Sequence, residues 1–119
     1  MWLFRFFRRK AKTLPHKHLL LLDCQIHGSH YYDCLSLIDK RVLRVGQQLI
    51  LKREPRNDYD KNAIEICTRQ GDKLGYVPKH HNRIIAALMD QNCPICAHIT
   101  AIQQGAWEPV SIRVTMRST

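Results

Sequence analysis

The chain has 119 residues, five cysteines and a formal net charge of +9. That length favours one domain able to bury a core without disulfides or metal. The ordinary apolar and charged content excludes general disorder, and no apolar run is long enough for a transmembrane helix.

The basic balance points to anionic partners, either nucleic acid or an acidic membrane face. It is unevenly spread. Residues 1–18 hold six of the 19 Lys and Arg residues and no acid, so they carry +6 of the +9 and leave the remainder mildly basic. In residues 1–13, MWLFRFFRRKAKT, helical spacing puts Arg5, Arg8, Arg9 and Lys12 on one face and gathers Trp2, Leu3, Phe6 and Phe7 on the other. That pattern reads as a basic amphipathic helix on an anionic membrane or on a protein. It reads equally as a terminal arm packing its aromatics on the domain. Membrane contact through so short a segment is weak and salt-sensitive. Leu14 to His18 reads as a linker, which divides the chain into an arm and linker, 1–18, and a folded domain, 19–119.

The run LLLLDCQI, 19–26, suits a buried strand, and Tyr31 to Ile38 a second, less regular one. After Gly46, QQLILKRE alternates as a strand, and Ala63 to Cys67 forms another. Gln70-Gly71-Asp72 turns the chain into a strand from Lys73 to Val77. Pro78 opens a helix over 78–91, with Ile84, Ile85, Leu88 and Met89 at helical spacing and Pro94 closing it. Residues 95–102 and 109–116 alternate as strands around Gly105. The expected fold is mainly β with one main helix, all-β or α+β: a small barrel with the helix packed against it.

An odd cysteine count, with Cys24, Cys34 and Cys67 in apolar runs, suits a reducing compartment and a cytoplasmic location. Arg5 interrupts any signal-peptide apolar core. Cys93-Pro94-Ile95-Cys96 lacks the second pair that a closed zinc site needs, so neither metal nor cofactor is expected. Asp58 and Asp60 without a third acid make a weak nuclease signal. There is no G-x-x-x-x-G-K-[ST] phosphate loop and no nucleophile–base pair, and the chain reads as a non-enzyme.

One stretch does not fit a plain hairpin. Between two strands runs REPRNDYDKNAI, 53–64, longer than the two to five residues of most hairpin loops and carrying a tyrosine between two aspartates. Its Arg53, Pro55, Asn57, Tyr59, Asp60, Asn62, Ala63 and Ile64 resemble the signature of the HIRAN domain family. Ile26-His27-Gly28-Ser29-His30-Tyr31-Tyr32 upstream and Lys73-Leu74-Gly75-Tyr76-Val77-Pro78-Lys79 downstream resemble two further family segments in order and spacing. The resemblance covers about residues 20–102, and residues 1–18 lie outside it.

It implies a barrel related to the OB fold and binding of single-stranded DNA, at its free 3′-hydroxyl end. The implied DNA-binding residues are Tyr31, Tyr59, Asp60, Lys79, His30, Asn57 and Tyr76. Two tyrosines would stack on terminal bases without reading them. Asp60, an acceptor-only group, would meet the terminal hydroxyl and reject a phosphate. Lys79 would hold a phosphate at the helix start. Three positions depart from the family's best-understood pattern: His30 stands for an arginine, Tyr76 for a histidine and Asp58 for a proline. Asp58 would free the loop and add negative charge beside Asp60, with Arg53 and Arg56 as compensating cations.

Taken by themselves, Tyr31 and Tyr59 also read as half-buried rim aromatics, Asp60 and Asn62 as turn residues and Lys79 as a solvated lysine. The leading expectation is a DNA-binding accessory to repair or replication restart, with a helicase or nuclease as partner protein. Behind it stand a docking adaptor acting through residues 1–13, and then a metal-dependent nucleic-acid hydrolase or zinc protein.

Overall fold

The computed structural model describes residues 17–118; the arm expected at 1–13 lies outside them. Six strands form one antiparallel sheet: β1 Lys17–Gln25, β2 Gln48–Arg53, β3 Ile64–Cys67, β4 Lys73–Tyr76, β5 Ile95–Ile102 and β6 Val110–Ser118. Their order is β1-β6-β5-β2-β3-β4. Two helices are added, α1 Cys34–Asp39 and α2 Asn82–Asp90. The fold is mainly β with one main helix, and the sheet is barrel-like.

The two outer strands, β1 and β4, do not run side by side. They are joined just past the end of β1, where the N–H groups of His27 and Tyr76 each donate to the other's carbonyl at 2.9 Å. Gly75 makes this crossing possible. Its φ is +150°, and a Cβ there would overlap the His27 carbonyl oxygen and crowd the Ile26 side chain.

The core lies inside this curl. Ile26, Ile64, Ile66, Leu74, Ile99, Ile112 and Val114 are buried and come from β3, β4, β5, β6 and the end of β1. Strand alternation explains much of this: in β2, Leu49 is buried and Leu51 half-buried, while Gln48, Ile50 and Lys52 face out.

Four expectations are corrected. Lys17 and His18 belong to β1 rather than to a linker. The leucine run in β1 is not an interior strand, for Leu19 and Leu20 are 49% and 58% exposed. β1 pairs only with β6 along its length, and its register slips between Leu20 and Leu22. Its first half therefore extends along the sheet edge instead of into the core. Four consecutive leucines look alike in either place.

Tyr31 to Ile38 is not a strand. A 3₁₀ turn, Ser29–Tyr31, leads to α1, because Cys34 and Ile38 sit four residues apart and bury one helical stripe. The helix expected over 78–91 is also divided. Pro78 is extended, Lys79–His81 form a 3₁₀ turn, and the α-helix begins at Asn82. Its buried face carries Asn82, Ile85 and Ala86, leaving Ile84 71% exposed. The helix stops at Asn92, which takes φ 63° and sends the next N–H, of Cys93, to the Leu88 carbonyl.

Candidate nucleic-acid interface

The loop between β2 and β3 is a sequence of side-chain-to-backbone closures. The Glu54 N–H still donates to the Ala63 carbonyl at 3.0 Å, so the ladder runs one pair past Arg53. Asn57 Oδ1 then accepts the N–H groups of both Tyr59 and Asp60, at 2.9 and 3.0 Å. Asp60 Oδ1 accepts the Asn62 N–H at 2.9 Å, and the Asp60 carbonyl accepts from Ala63. These are Asx turns, the local alternative that Asn and Asp offer the backbone. The turn around Asp58 is closed by Asn57 without a proline. Asp60 rather than the Asn62 side chain holds the return limb.

Arg53 straps the same limb from outside. Its guanidinium donates to the carbonyls of Ala63 and Lys61 and to the Asp90 carboxylate at the end of α2. It is therefore occupied within the protein and is not a cation waiting beside the loop. Arg56 is exposed.

The loop forms one wall of a cleft of about 370 Å³. Tyr59, Asp60 and Asn57 line it from the loop, His27 and Tyr32 from the segment after β1, and Tyr76, Lys79 and Asn82 from β4 and the start of α2. Tyr59 is 90% exposed, so nothing in the fold uses its ring. Asp60 is the opposite case. Its Oδ2 accepts a 2.8 Å hydrogen bond from the Asn82 side-chain amide, and Asn82 itself is buried. Burial pushes the Asp60 carboxyl up, but the Asn82 amide, the Asn62 N–H and the charges of Lys79 and Arg53 outweigh it. The group ionises below its ordinary value. Each oxygen takes one bond from the protein and keeps acceptor capacity for another donor.

The other expected residues are placed less uniformly. Tyr76 lines the cleft, and its hydroxyl is engaged within the protein. Its hydroxyl donates to the Glu54 carboxylate at 2.8 Å and accepts from Lys73 Nζ at 2.8 Å. That ammonium lies 4.3 Å from the centre of the Tyr32 ring and 4.6 Å from that of Tyr76, a cation–π arrangement.

Tyr31 is 80% exposed and stands outside the cleft lining, where its neighbour Tyr32 is found instead. His30 is also outside. Its ring stacks on Trp107 at 4.0 Å, and its Nε2–H donates to the Trp107 carbonyl at 2.8 Å. Lys79 opens the 3₁₀ turn rather than the first turn of the α-helix.

Sequence reasoning missed Tyr32, Asn82, Glu54, Lys73 and Trp107. Asn82 carried a usable signal, being a polar residue on the stripe shared with Ile85 and Ala86. The other four are brought in by tertiary packing. Among the described residues no three metal-ligating side chains gather, and all five cysteines are free thiols.

The HIRAN domain model matches residues 19–119. The chain belongs to the HIRAN domain family. A Fanconi-associated nuclease 1 homolog of Arabidopsis thaliana is 31% identical over 77 residues, which is 64% of this chain and 9% of that protein. The helicase-like transcription factor of Oryctolagus cuniculus is 39% identical over 49 residues, 41% of this chain and 5% of that protein. The chain thus spans less than a tenth of these curated relatives. Among solved structures, a protein from Lactobacillus plantarum matches with TM-score 0.77 and 29% identity, over 88% of this chain and all of that one. The HIRAN domain of human HLTF matches with TM-score 0.69 and 23% identity, over 86% of this chain and 80% of that one, a likeness of fold.

Proposed function

We propose that this HIRAN domain binds single-stranded DNA at its 3′-hydroxyl end and catalyses no reaction itself. The observation that carries the proposal is the pairing, in one cleft, of an ionised and positioned carboxylate, Asp60, with an unemployed aromatic, Tyr59. A carboxylate repels internal phosphates, so it is useful in a DNA site only where a donor arrives, and a terminal hydroxyl is such a donor. Lys79, which lines the same cleft, takes the phosphate of the terminal linkage as a point charge. Tyr59 and the exposed Tyr31 stack on bases with little regard to their identity. Tyr76, with its hydroxyl engaged by Glu54 and Lys73, lines the cleft, and Asn57 shapes the loop.

Relatives named as a nuclease and as a helicase-like transcription factor support a setting in DNA repair or replication restart, beside a helicase or nuclease partner. The test is fluorescence anisotropy with one oligonucleotide carrying either a 3′-hydroxyl or a 3′-phosphate. The hydroxyl end binds tighter by about tenfold or more, the worth of one charge-assisted hydrogen bond. Equal affinities would remove the role given to Asp60. A chain lacking residues 1–16, cut just before β1, keeps the discrimination. Loss of all binding on that cut would transfer the activity to the basic arm and favour the docking-adaptor reading.

A further inference from the structure

We propose that Glu54 is a positioning residue that sets the cleft loop without touching the ligand. Glu54 is not among the residues lining the cleft, yet it joins two that are, Tyr76 of β4 and Asn57 of the loop. Its Oε1 accepts both the Tyr76 hydroxyl, at 2.8 Å, and the Asn57 amide nitrogen, at 2.9 Å. The second contact decides an orientation. An ionised carboxylate only accepts, so the Asn57 side chain must present its NH₂ to Glu54 and its oxygen to the loop. That oxygen is the one that closes the N–H groups of Tyr59 and Asp60. With the amide turned over, both N–H groups would face a donor. Glu54 also receives Lys73 indirectly, through the Tyr76 hydroxyl, so a charged chain runs from Lys73 through Tyr76 and Glu54 to Asn57. Burial pushes the Glu54 carboxyl up, but hydrogen bonds with the Asn57 amide, the neighbouring Glu65 carboxyl and the Tyr76 hydroxyl, together with the charge of Lys73, keep it below its ordinary value.

The binding consequence rests on the 3′-end reading of the cleft; the structural consequence does not. Both are measured on the full chain with Glu54→Ala and Glu54→Gln. In the free protein, the amide protons of Tyr59 and Asp60 exchange about tenfold faster in Glu54→Ala, the change expected when a segment loses one hydrogen bond to its support. The N–H of buried Ile99, bonded to the Gln47 carbonyl at 2.9 Å, keeps its wild-type rate. Glu54→Gln stays near wild type, because one oxygen already serves both partners.

In binding, the ratio of 3′-hydroxyl to 3′-phosphate affinity falls toward one in Glu54→Ala and is retained in Glu54→Gln. Unchanged exchange at Tyr59 and Asp60 would overturn the proposal. So would an equal rise at Ile99, which marks general destabilisation, or failure of Gln to rescue. A wild type without end preference would instead sink the 3′-end reading, and the exchange rates would still decide the part played by Glu54.

Discussion

The cleft is built from two tyrosine-bearing segments that are held in different ways. The 54–63 loop is closed by side chains: Asn57 and Asp60 take backbone N–H groups, and Arg53 straps the returning carbonyls. The 28–32 turn is closed mainly by backbone, with the Ser29 hydroxyl donating to the Ile26 carbonyl and His30 resting on Trp107. Gly28 takes φ 81°, its carbonyl accepts the Tyr31 N–H at 3.0 Å, and the adjoining His27 pairs with Tyr76 across the gap in the sheet. A segment fixed by side chains tolerates change at its projecting residue, whereas one fixed by backbone depends on whatever lies beneath it.

The comparison breaks hardest at Gly75. Gly75→Ala puts a methyl into the His27 carbonyl at a left-handed φ. It destabilises the protein by about 3 kcal/mol, from backbone strain and overpacking together, as urea denaturation would measure. It should disturb Tyr31 and Tyr32 more than Tyr59, which chemical-shift changes would report. Tyr59→Ala is the converse. It leaves stability within about 0.5 kcal/mol, as for an exposed side chain, but weakens single-stranded DNA binding by roughly 1–3 kcal/mol if the ring stacks on a base. Unchanged affinity would return Tyr59 to a rim aromatic.

Asn57→Ala tests the side-chain closure itself. It costs about 1–2 kcal/mol of stability, since two loop N–H groups and the Glu54 carboxylate turn to water. The effect should be confined to the loop.

The smallest effect lies in acid. Asp60 has a folded-state pKa below its ordinary 3.8. Its contacts therefore stabilise the fold fully above that value and are lost as pH falls through the lowered one. Below about pH 4 the wild type should lose stability more steeply than Asp60→Asn. Parallel urea midpoints would show Asp60 to be uninvolved. Asp23 and Asp90 are shifted the same way by their arginine partners and fall alike in both proteins.

The same contrast explains what was legible beforehand. The loop's closures are made by Asn57, Asp60 and Arg53, all within ten residues of one another, so its turn chemistry is visible in REPRNDYDKNAI, although Arg53 straps the loop instead of compensating for Asp58. The strands that alternate, β2 and β6, were legible for the same local reason. The 28–32 turn was not. Its shape depends on a backbone bridge to Tyr76 and on Trp107 reaching His30 from the β5–β6 connection, both remote in the chain. Hence the segment from Tyr31 looked like a strand, and Tyr32, one residue along from the expected Tyr31, lines the cleft. The leucines of β1 misled because an edge and an interior have the same composition. Asn82 shows the limit of pattern reading: it occupies a core position as a polar residue, and only the position of Asp60 tells why.

Lys73 has a further consequence for chemistry done on the whole protein. Burial alone would favour its neutral amine, but the hydrogen bond with the Tyr76 hydroxyl and the charge interactions with the phenol groups of Tyr76 and Tyr32 and with Glu54 together raise its pKa above the ordinary value. An amine that is half-covered and harder to deprotonate is a poor nucleophile toward acylating reagents. Lys79 lines the cleft and is exposed. Under brief acylation Lys79 should therefore be modified well ahead of Lys73, giving the cleft a built-in reference pair: one lysine that reports when something occupies it, and one that reports only when the fold itself gives way.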